Sequence, residues 1–339
     1  MPQKVTIYDI AKYLHVTPAT VSYALNNVSK VSEETRRRVL AAARELGYSR
    51  DYSATSLSTG KTHLMVLFLP FEDISRAFLE NPFYGEFIGG FEKQIKRFDY
   101  DLLIQPMLNE KDLLPWLRGR GVDAIAVIGS FPKHYRHAFK TIGKPVVLVD
   151  VFDNYCEEYN NVRTSDEEGC YEATKYLIDR GHKRIAFVSG DVNTSFIDKR
   201  RFDGYKNALE ESDIPFDENI VYVSDVSFNG GIEVSQVLMN ENKVTGVVCA
   251  ADSLAIGIMN GYRTAGKSVP EDISVIGFDD IQSAKLIYPG LTTIRQDIAE
   301  KGRLAAKLLI DDLKNKENNS KLITLEPELI ERNSVKYIK

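Results

Sequence analysis

Five side chains suited to holding a polar, ring-shaped ligand come just after strand-like apolar runs in the larger, later part of the chain. They are Phe83, Tyr84, Asp150, Arg201 and Asp279. Carboxylates accept hydrogen bonds from neighbouring hydroxyls, an arginine donates several in a fixed plane, and aromatic rings cover the apolar face of a ring. A lone aspartate after a strand is also a common loop or cap residue, so these residue types alone leave a structural role open.

Parallel strands would position these side chains. After residue 62, apolar runs alternate with helical segments such as 84–97, 170–181 and 254–265. Most runs are continuous in Val, Ile and Leu, which is typical of parallel strands buried on both faces. The pattern predicts two doubly wound, Rossmann-like α/β lobes, with the ligand in the cleft between them, beyond the carboxyl ends of the strands. The predicted strands are 63–69, 101–105, 124–128, 145–149, 184–189, 220–223, 247–251 and 273–278.

The first 61 residues carry three signals for the start of a helix. Thr6 with Asp9 resembles a capping box, Thr17 before Pro18 is a good cap, and Ser32 is a third. Two short helices with a third packed on them predict an all-α helix-turn-helix head, whose second helix enters the DNA major groove. A bundle whose polar face meets only water is the alternative. The outward residues of the second helix are Thr17, Pro18, Ala19, Thr20, Ser22, Tyr23 and Asn26, whereas the predicted core of the third includes Val39, Leu40, Ala43 and Leu46.

Charge divides the chain at the same place. Residues 1–61 contain nine Lys and Arg against five Asp and Glu, a net charge of +4, and since the whole chain carries −5 the remainder carries −9. A basic head on an acidic body is consistent with a nucleic-acid module joined to a different function.

Several other classes of protein are disfavoured. The beginning of the chain has no apolar core or cleavage site, and no apolar run approaches the roughly 20 residues of a membrane span, so we expect a cytoplasmic protein. Three scattered cysteines form no metal or disulfide pattern. Residues 261–268 match a phosphate-binding loop but follow a predicted helix instead of a strand, and His134 with His137 lacks a third metal ligand. We therefore expect no metal, no cofactor and no catalytic residue.

The head contains the stretches Thr6-Ile-Tyr-Asp-Ile-Ala-Lys, Val16-Thr-Pro-Ala-Thr-Val-Ser-Tyr-Ala-Leu-Asn, Val31-Ser-Glu-Glu-Thr-Arg, Leu46-Gly-Tyr and Ala54-Thr-Ser-Leu-Ser-Thr-Gly-Lys. They resemble the lactose/galactose repressor (LacI/GalR) family. The resemblance implies that the last stretch is a hinge, whose Leu57 wedges into the minor groove of operator DNA. Tyr23 stands where many members have a base-reading arginine, which leaves the operator sequence open. The further DNA contacts implied by the resemblance are Thr6, Tyr8, Tyr48, Ala54 and Leu57.

The body contains His182-Lys-Arg-Ile-Ala-Phe, Arg201-Phe-Asp-Gly-Tyr, Val269-Pro-Glu-Asp-Ile-Ser-Val-Ile-Gly-Phe-Asp-Asp and Leu291-Thr-Thr-Ile-Arg-Gln. These also resemble motifs of the family, in which the five ligand candidates match effector-contact positions. Two positions depart from the pattern. Ala251 stands where an effector-binding asparagine is common. Val226 falls near a position often held by a stacking aromatic, for which Phe228 is the nearest substitute.

The resemblance implies a DNA-binding head with its hinge over residues 1–61 and a periplasmic-binding-protein-like body for effector binding and dimerisation over 62–339. We expect lobes of about 62–157 with 291–320, and 158–290 with 321–339. The implied function is that of a homodimeric transcriptional repressor, controlled by a sugar or sugar derivative, and the tail has no leucine heptads that would join dimers. A sugar transport receptor is one alternative, which the head and the missing signal peptide oppose. A sugar kinase or hydrolase is the other, which the misplaced phosphate-binding loop at 261–268 opposes.

Overall fold

The computed structural model describes residues 5–25, 28–48, 60–71, 78, 81–152, 156–241, 243–315 and 320–338. The chain forms two compact units, Met1–Thr62 and His63–Lys339. Among the predicted DNA contacts, Asn26, Ala54 and Leu57 lie outside the described residues.

Each helix of the first unit begins at a predicted cap. The Asp9 carboxylate accepts the backbone N–H of Thr6 at 2.7 Å, which satisfies a donor that the first turn leaves without a partner. The Thr17 and Ser32 hydroxyls accept N–H groups three residues further on, at 3.1 and 3.2 Å. The helices are α1 (Ile7–Leu14), α2 (Pro18–Leu25) and α3 (Glu33–Glu45).

Apolar residues at helical spacing form the core of this unit. Ile10, Val21 and Val39 are fully buried where the three helices meet. The prediction that Leu40 is buried is wrong, since 40% of it is exposed and Ala42 takes the inward position instead. Buried positions on α3 follow the spacing of 39, 42 and 43, and Leu40 projects away from that stripe.

The first sheet of the body is six-stranded and wholly parallel, in the order β11-β5-β4-β3-β1-β2. Alternate residues of β1 face opposite helical layers, with Met65 and Leu67 on one side and Val66 and Phe68 on the other. The strands are β1 (Leu64–Leu69), β2 (Asp101–Pro106), β3 (Ala124–Ile128), β4 (Val146–Val149), β5 (Asn160–Thr164) and β11 (Leu322–Leu325).

The second sheet repeats this arrangement, in the order β12-β10-β9-β8-β6-β7. Its strands are parallel except β12, which runs antiparallel to β10 at the edge. The predicted α/β class with two doubly wound lobes is confirmed. The strands are β6 (Ile185–Ser189), β7 (Val221–Val223), β8 (Gly246–Cys249), β9 (Ser274–Asp279), β10 (Thr292–Arg295) and β12 (Glu328–Ile330).

Three strands lie in a different lobe from the one expected. β5 and β11 belong to the first sheet and β10 to the second, whereas the predicted boundaries put each in the other lobe. The chain crosses between lobes after these strands, near residues 165, 296 and 326, instead of before them. The apolar pattern of a four- or five-residue strand is the same for either sheet, so it does not reveal which sheet the strand joins.

Helices cover both sheets, and close packing fixes two of them beside the first. A Cβ atom on Gly302 of α12 would lie 2.2 Å from the carbonyl oxygen of Phe87 on α4, so this contact requires glycine.

None of the helices within the described ranges is both long and apolar enough to cross a bilayer. The body helices are α4 (Phe83–Ile95), α5 (Glu110–Arg120), α6 (Lys133–Ile142), α7 (Asp166–Ile178), α8 (Phe196–Glu211), α9 (Phe228–Leu238), α10 (Asp252–Thr264), α11 (Gln282–Leu286) and α12 (Ile298–Lys314), with short 3₁₀ turns at Lys96–Phe98 and Glu218–Ile220.

Candidate functional site

A cavity of about 660 Å³ lies in the body at the carboxyl ends of strands from both sheets. Its wall includes Ser130 and Asp150 after two strands of the first sheet, and Gly190, Ala250 and Asp279 at the ends of three strands of the second. The volume is in the range of sites for small ligands. All five predicted ligand contacts, Phe83, Tyr84, Asp150, Arg201 and Asp279, lie on this wall.

Arg201 is the central cation of the cavity. Its Nε and Nη2 atoms lie 2.8 and 2.7 Å from Oδ1 of Asp166, and Nη1 donates to the carbonyl oxygen of Ala250. The guanidinium also stacks over the ring of Phe278 at 3.7 Å. These contacts hold the Arg201 side chain, which projects from α8, in one orientation. Its Nη1 atom lies 3.7 Å from Oδ1 of Asp279.

Asp279 is a buried carboxylate at the end of β9. It accepts a hydrogen bond from Nε2 of Gln296 at 2.5 Å. Burial raises the pKa of Asp279 to about 6, and the positive charge of Arg201 opposes that rise. The group is therefore poised to gain a proton in mildly acidic solution.

Lys301 of α12 was not predicted to belong to the site. Its side chain is fully buried, and its Nζ atom lies 2.7 Å from both carboxylate oxygens of Asp150 and 2.6 Å from Oε1 of Gln296. Because Gln296 also binds Asp279, one polar chain runs from the end of β4 in the first lobe to the end of β9 in the second. A ligand bound to the carboxylate of Asp150 or of Asp279 would therefore be linked through hydrogen bonds to both lobes.

Aromatic rings cover one side of the cavity. Tyr84 packs edge-on against Phe71 and Phe83, with ring centroids 4.9 and 5.3 Å apart. Burial raises the pKa of the Tyr84 hydroxyl, and the charges of Asp150 and Asp279 raise it further. The hydroxyl stays protonated at neutral pH and makes no hydrogen bond with any described residue, so it is available to a ligand.

The backbone at both strand-end aspartates is unusual. Asp150 has φ 53° and Asp279 has φ 121°, values that residues with a side chain seldom adopt. Such conformations persist where the surroundings hold them and commonly mark functional sites.

Sequence reasoning missed four polar contributors to the site. Gln296 lay inside a quoted motif, and Asp166 and Asp198 have positions near the strand ends that gave no distinct signal. Lys301 did carry a signal, because it lies three residues after Ile298 and four before Ala305, on the buried stripe of α12. A lysine on an apolar stripe is rare enough to predict a buried partner.

The two positions that depart from the family pattern both lie at the cavity. Ala251 and Val226 both line the cavity, where they add apolar surface in place of an amide and an aromatic ring. Phe228 begins α9 and packs against the core, and it is not among the cavity-lining residues. Asp252 is also turned away, because its carboxylate accepts Thr293 Oγ1 at 2.5 Å and the N–H of Ile281 at 2.9 Å.

The described DNA-contact candidates of the head are mostly accessible. Tyr8 is 68% exposed and Tyr23 is 36% exposed, with the Lys30 ammonium 5.4 Å from the Tyr23 ring. Tyr48 packs partly against the head core, which gives it a structural contact as well. Thr6, Thr17 and Ala19 are exposed, and Pro18, Thr20 and Ser22 are half-buried.

The rejected phosphate-loop match has the arrangement expected of a false match. Residues 261–264 are the last turn of α10, and the next element along the chain is β9, so a strand stands where a phosphate-binding loop requires the N-terminus of a helix. Within the part of the chain that the structure describes, no three His, Cys, Asp or Glu side chains are grouped to hold a metal ion.

Comparison with known proteins identifies both parts of the chain. The model "Bacterial regulatory proteins, lacI family" matches residues 6–51, and the model "Periplasmic binding protein-like domain" matches residues 174–335. The HTH-type transcriptional regulator RegA of Clostridium saccharobutylicum is 33% identical, over 97% of this chain and 98% of RegA. The ribose operon repressor of Haemophilus influenzae is 30% identical, over 98% of this chain and 99% of that repressor.

A solved structure shares the fold of the body. A LacI family transcriptional regulator from Enterococcus faecium, with bound ribose, is 31% identical and has a TM-score of 0.73. The match covers 81% of this chain and 100% of that one.

Proposed function

The chain belongs to the LacI family of bacterial regulatory proteins, and on that premise we propose that it is a repressor whose affinity for operator DNA depends on a small polar effector. The observation that carries the proposal is the convergence of Phe83, Tyr84, Asp150, Arg201 and Asp279 on one cavity of about 660 Å³. The ribose bound to the Enterococcus faecium structure supports a sugar or sugar derivative as the effector. The protein would act in the cytoplasm, where its DNA is.

The two lobes supply a mechanism for control. Strands 160–164, 292–295 and 322–325 each lead into a crossover between the sheets, so the lobes are joined by three short connections. An effector that binds one relative arrangement of the lobes more tightly shifts the population toward it. We propose that this shift changes how the two hinges of a dimer order on DNA.

The proposed oligomer is a homodimer on a near-palindromic operator, with half-sites about one helical turn apart. Leu286 and Tyr288 support a subunit contact, because 73% and 95% of these apolar side chains are exposed on the body. Large exposed apolar groups close together commonly mark a protein interface.

The experiment is a gel-shift screen of DNA fragments around the protein's own operon, with and without a panel of sugars that includes ribose. We expect one fragment to bind at least about tenfold more tightly than unrelated DNA, and one sugar to change that affinity. Asp279→Asn should keep operator binding and lose the sugar response, whereas Asp203→Asn, half-buried on α8 and not among the residues that line the cavity, should keep both. Absence of sequence-specific binding under every condition overturns the proposal.

A further inference from the structure

The wall of the effector cavity is acidic. Asp150, Asp198 and Asp279 line it together with Tyr84, and Arg201 is the one cation among the described lining residues. Two more aspartates, at positions 191 and 225, lie toward the rim. A site built for a phosphate or carboxylate would have the opposite balance.

Arg201 of the cavity wall, and Lys301 just behind it, each have a buried carboxylate as a partner. The guanidinium of Arg201 is held by Asp166 at 2.7 and 2.8 Å, and the ammonium of Lys301 is held by Asp150 at 2.7 Å. Asp166 and Lys301 are both buried, so solvent screens the attraction within these two ion pairs only weakly. Arg201 reaches a second carboxylate, that of Asp279, only at 3.7 Å.

Asp198 lines the cavity without a cation partner among the described residues. It lies in the first turn of α8, where Oδ1 accepts the N–H of Gly190 at 3.1 Å. No Lys, Arg or His side chain in the described ranges lies within 4 Å of its carboxylate. Asp198 lines the same cavity as Tyr84 and Arg201.

The Tyr84 hydroxyl, which makes no hydrogen bond with a described residue, adds an acceptor to this acidic wall. Asp150, Asp198 and Asp279 line the same cavity as Tyr84, whose hydroxyl can accept a hydrogen bond from a ligand. An ammonium group has three donors and one positive charge, which matches two carboxylates and a phenol oxygen. The faces of Phe83 and Tyr84 would cover the carbon skeleton that bears it.

We propose that the effector is a positively charged, amine-bearing polyol of sugar size, with Asp198 and Asp279 receiving its ammonium group. This inference rests on the proposed function, because it names the ligand class of the same cavity. It makes Asp198 the residue that separates amine-bearing ligands from neutral ones. Anionic analogues are excluded by repulsion from the same carboxylates.

The test is calorimetric titration of the full-length protein at pH 7 with matched ligands. The panel is glucosamine, galactosamine and mannosamine, each beside its neutral parent sugar and the parent's 6-phosphate. We expect at least one amino sugar to bind about tenfold or more tightly than its parent, about 1.4 kcal/mol, and no phosphate to bind. Asp198→Asn should reduce that advantage to less than about threefold, whereas Asp198→Glu should retain most of it.

Asp203→Asn is the matched control, because Asp203 lies on the same helix and pairs with Lys199 outside the cavity. It should leave the preference for the amine unchanged. A parent sugar or a phosphate that binds as tightly as the amino sugar overturns the inference, as does an Asp198→Asn protein with the full preference. Failure of every amino sugar to bind overturns it too.

The outcomes separate this inference from the proposed function. A neutral sugar that changes operator binding would leave the repressor proposal standing and overturn the inference about charge. If Asp198→Asn does not fold, the comparison of ligands on the unaltered protein and on Asp198→Glu still decides the matter.

Discussion

The ammonium of Lys301 lies 2.7 Å from both carboxylate oxygens of Asp150, and the two side chains are 0% and 6% exposed. Asp150 is therefore an internally neutralised acceptor, and α12 contributes to the chemistry of the cavity wall. A buried pair of this kind need not add net stability, but removal of one partner leaves an uncompensated charge in the interior.

Lys301→Met is expected to lower the free energy of unfolding by about 3–5 kcal/mol, because the Asp150 carboxylate would remain buried without its cation. The double variant Lys301→Met/Asp150→Asn should recover part of that loss. Urea unfolding followed by the fluorescence of Trp116, the chain's single tryptophan, reports on the first lobe. Lys307→Met is the control, since Lys307 is exposed on the same helix and pairs loosely with Asp311 at 3.8 Å, so its loss should stay below about 1 kcal/mol. Equal losses in the two single variants would contradict the prediction.

Asp279 should make the body less stable as pH rises from about 4 to about 6. Burial raises its pKa to about 6 in the folded state, so the folded protein binds more protons than the unfolded chain in this window. Asp279→Asn cannot titrate, and we expect it to flatten this part of the curve of unfolding free energy against pH, by at most about 3 kcal/mol.

Asp166 and Asp252 keep some slope of the same sign in that variant, because burial raises their pKa as well. Asp217→Asn provides a contrast, since hydrogen bonds from Asn219 lower the pKa of Asp217 and its removal should change the slope in the other direction. A curve for Asp279→Asn that overlays the unaltered protein would refute the assignment.

Tyr23→Arg should change which operator sequence is preferred. An arginine at this exposed position of α2 can donate two hydrogen bonds to guanine, whereas tyrosine cannot. Selection from a random DNA library should show a new guanine in each half-site. Tyr13→Arg, an exposed residue on α1, should strengthen binding to all DNA without changing the selected sequence. The same change of sequence in both variants would show that added charge alone is responsible.

Leu57→Ala should weaken operator binding by about tenfold or more and weaken binding to unrelated DNA much less. The family resemblance assigns Leu57 to the minor-groove wedge, and an alanine is too short to unstack a base step. Fluorescence anisotropy with both DNAs at one salt concentration measures the two losses. Similar losses on operator and unrelated DNA would count against the wedge.

Local patterns in the sequence predicted most of the fold. Thr6, Thr17 and Ser32 each cap a helix where expected, and eight predicted strands match observed strands to within two residues at each end. These features depend on residues a few positions apart, so a single sequence contains them. The family resemblance that followed from the motifs is confirmed by relatives that match nearly the whole chain, and that family consists of DNA-binding transcriptional regulators and not of enzymes.

Contacts between residues far apart in the sequence could not be predicted from local patterns. Nothing local to residues 292–295 says which sheet they join, because that choice depends on which partner strand has a free edge. The bond between Lys301 and Asp150 joins residues far apart in the sequence, so neither residue alone predicts it. The five ligand candidates were found because strand ends of parallel sheets share one edge, a rule that needs no knowledge of distant pairing.

The interleaving of strands between the sheets has a consequence for how the protein is made. The first sheet receives its edge strand, β11, from residues 322–325, which follow five strands of the second sheet along the chain. A nascent chain therefore cannot complete its first lobe until most strands of the second lobe have also left the ribosome. Both lobes would mature together after synthesis, and a frameshift or stop near residue 320 would damage the early lobe as much as the late one.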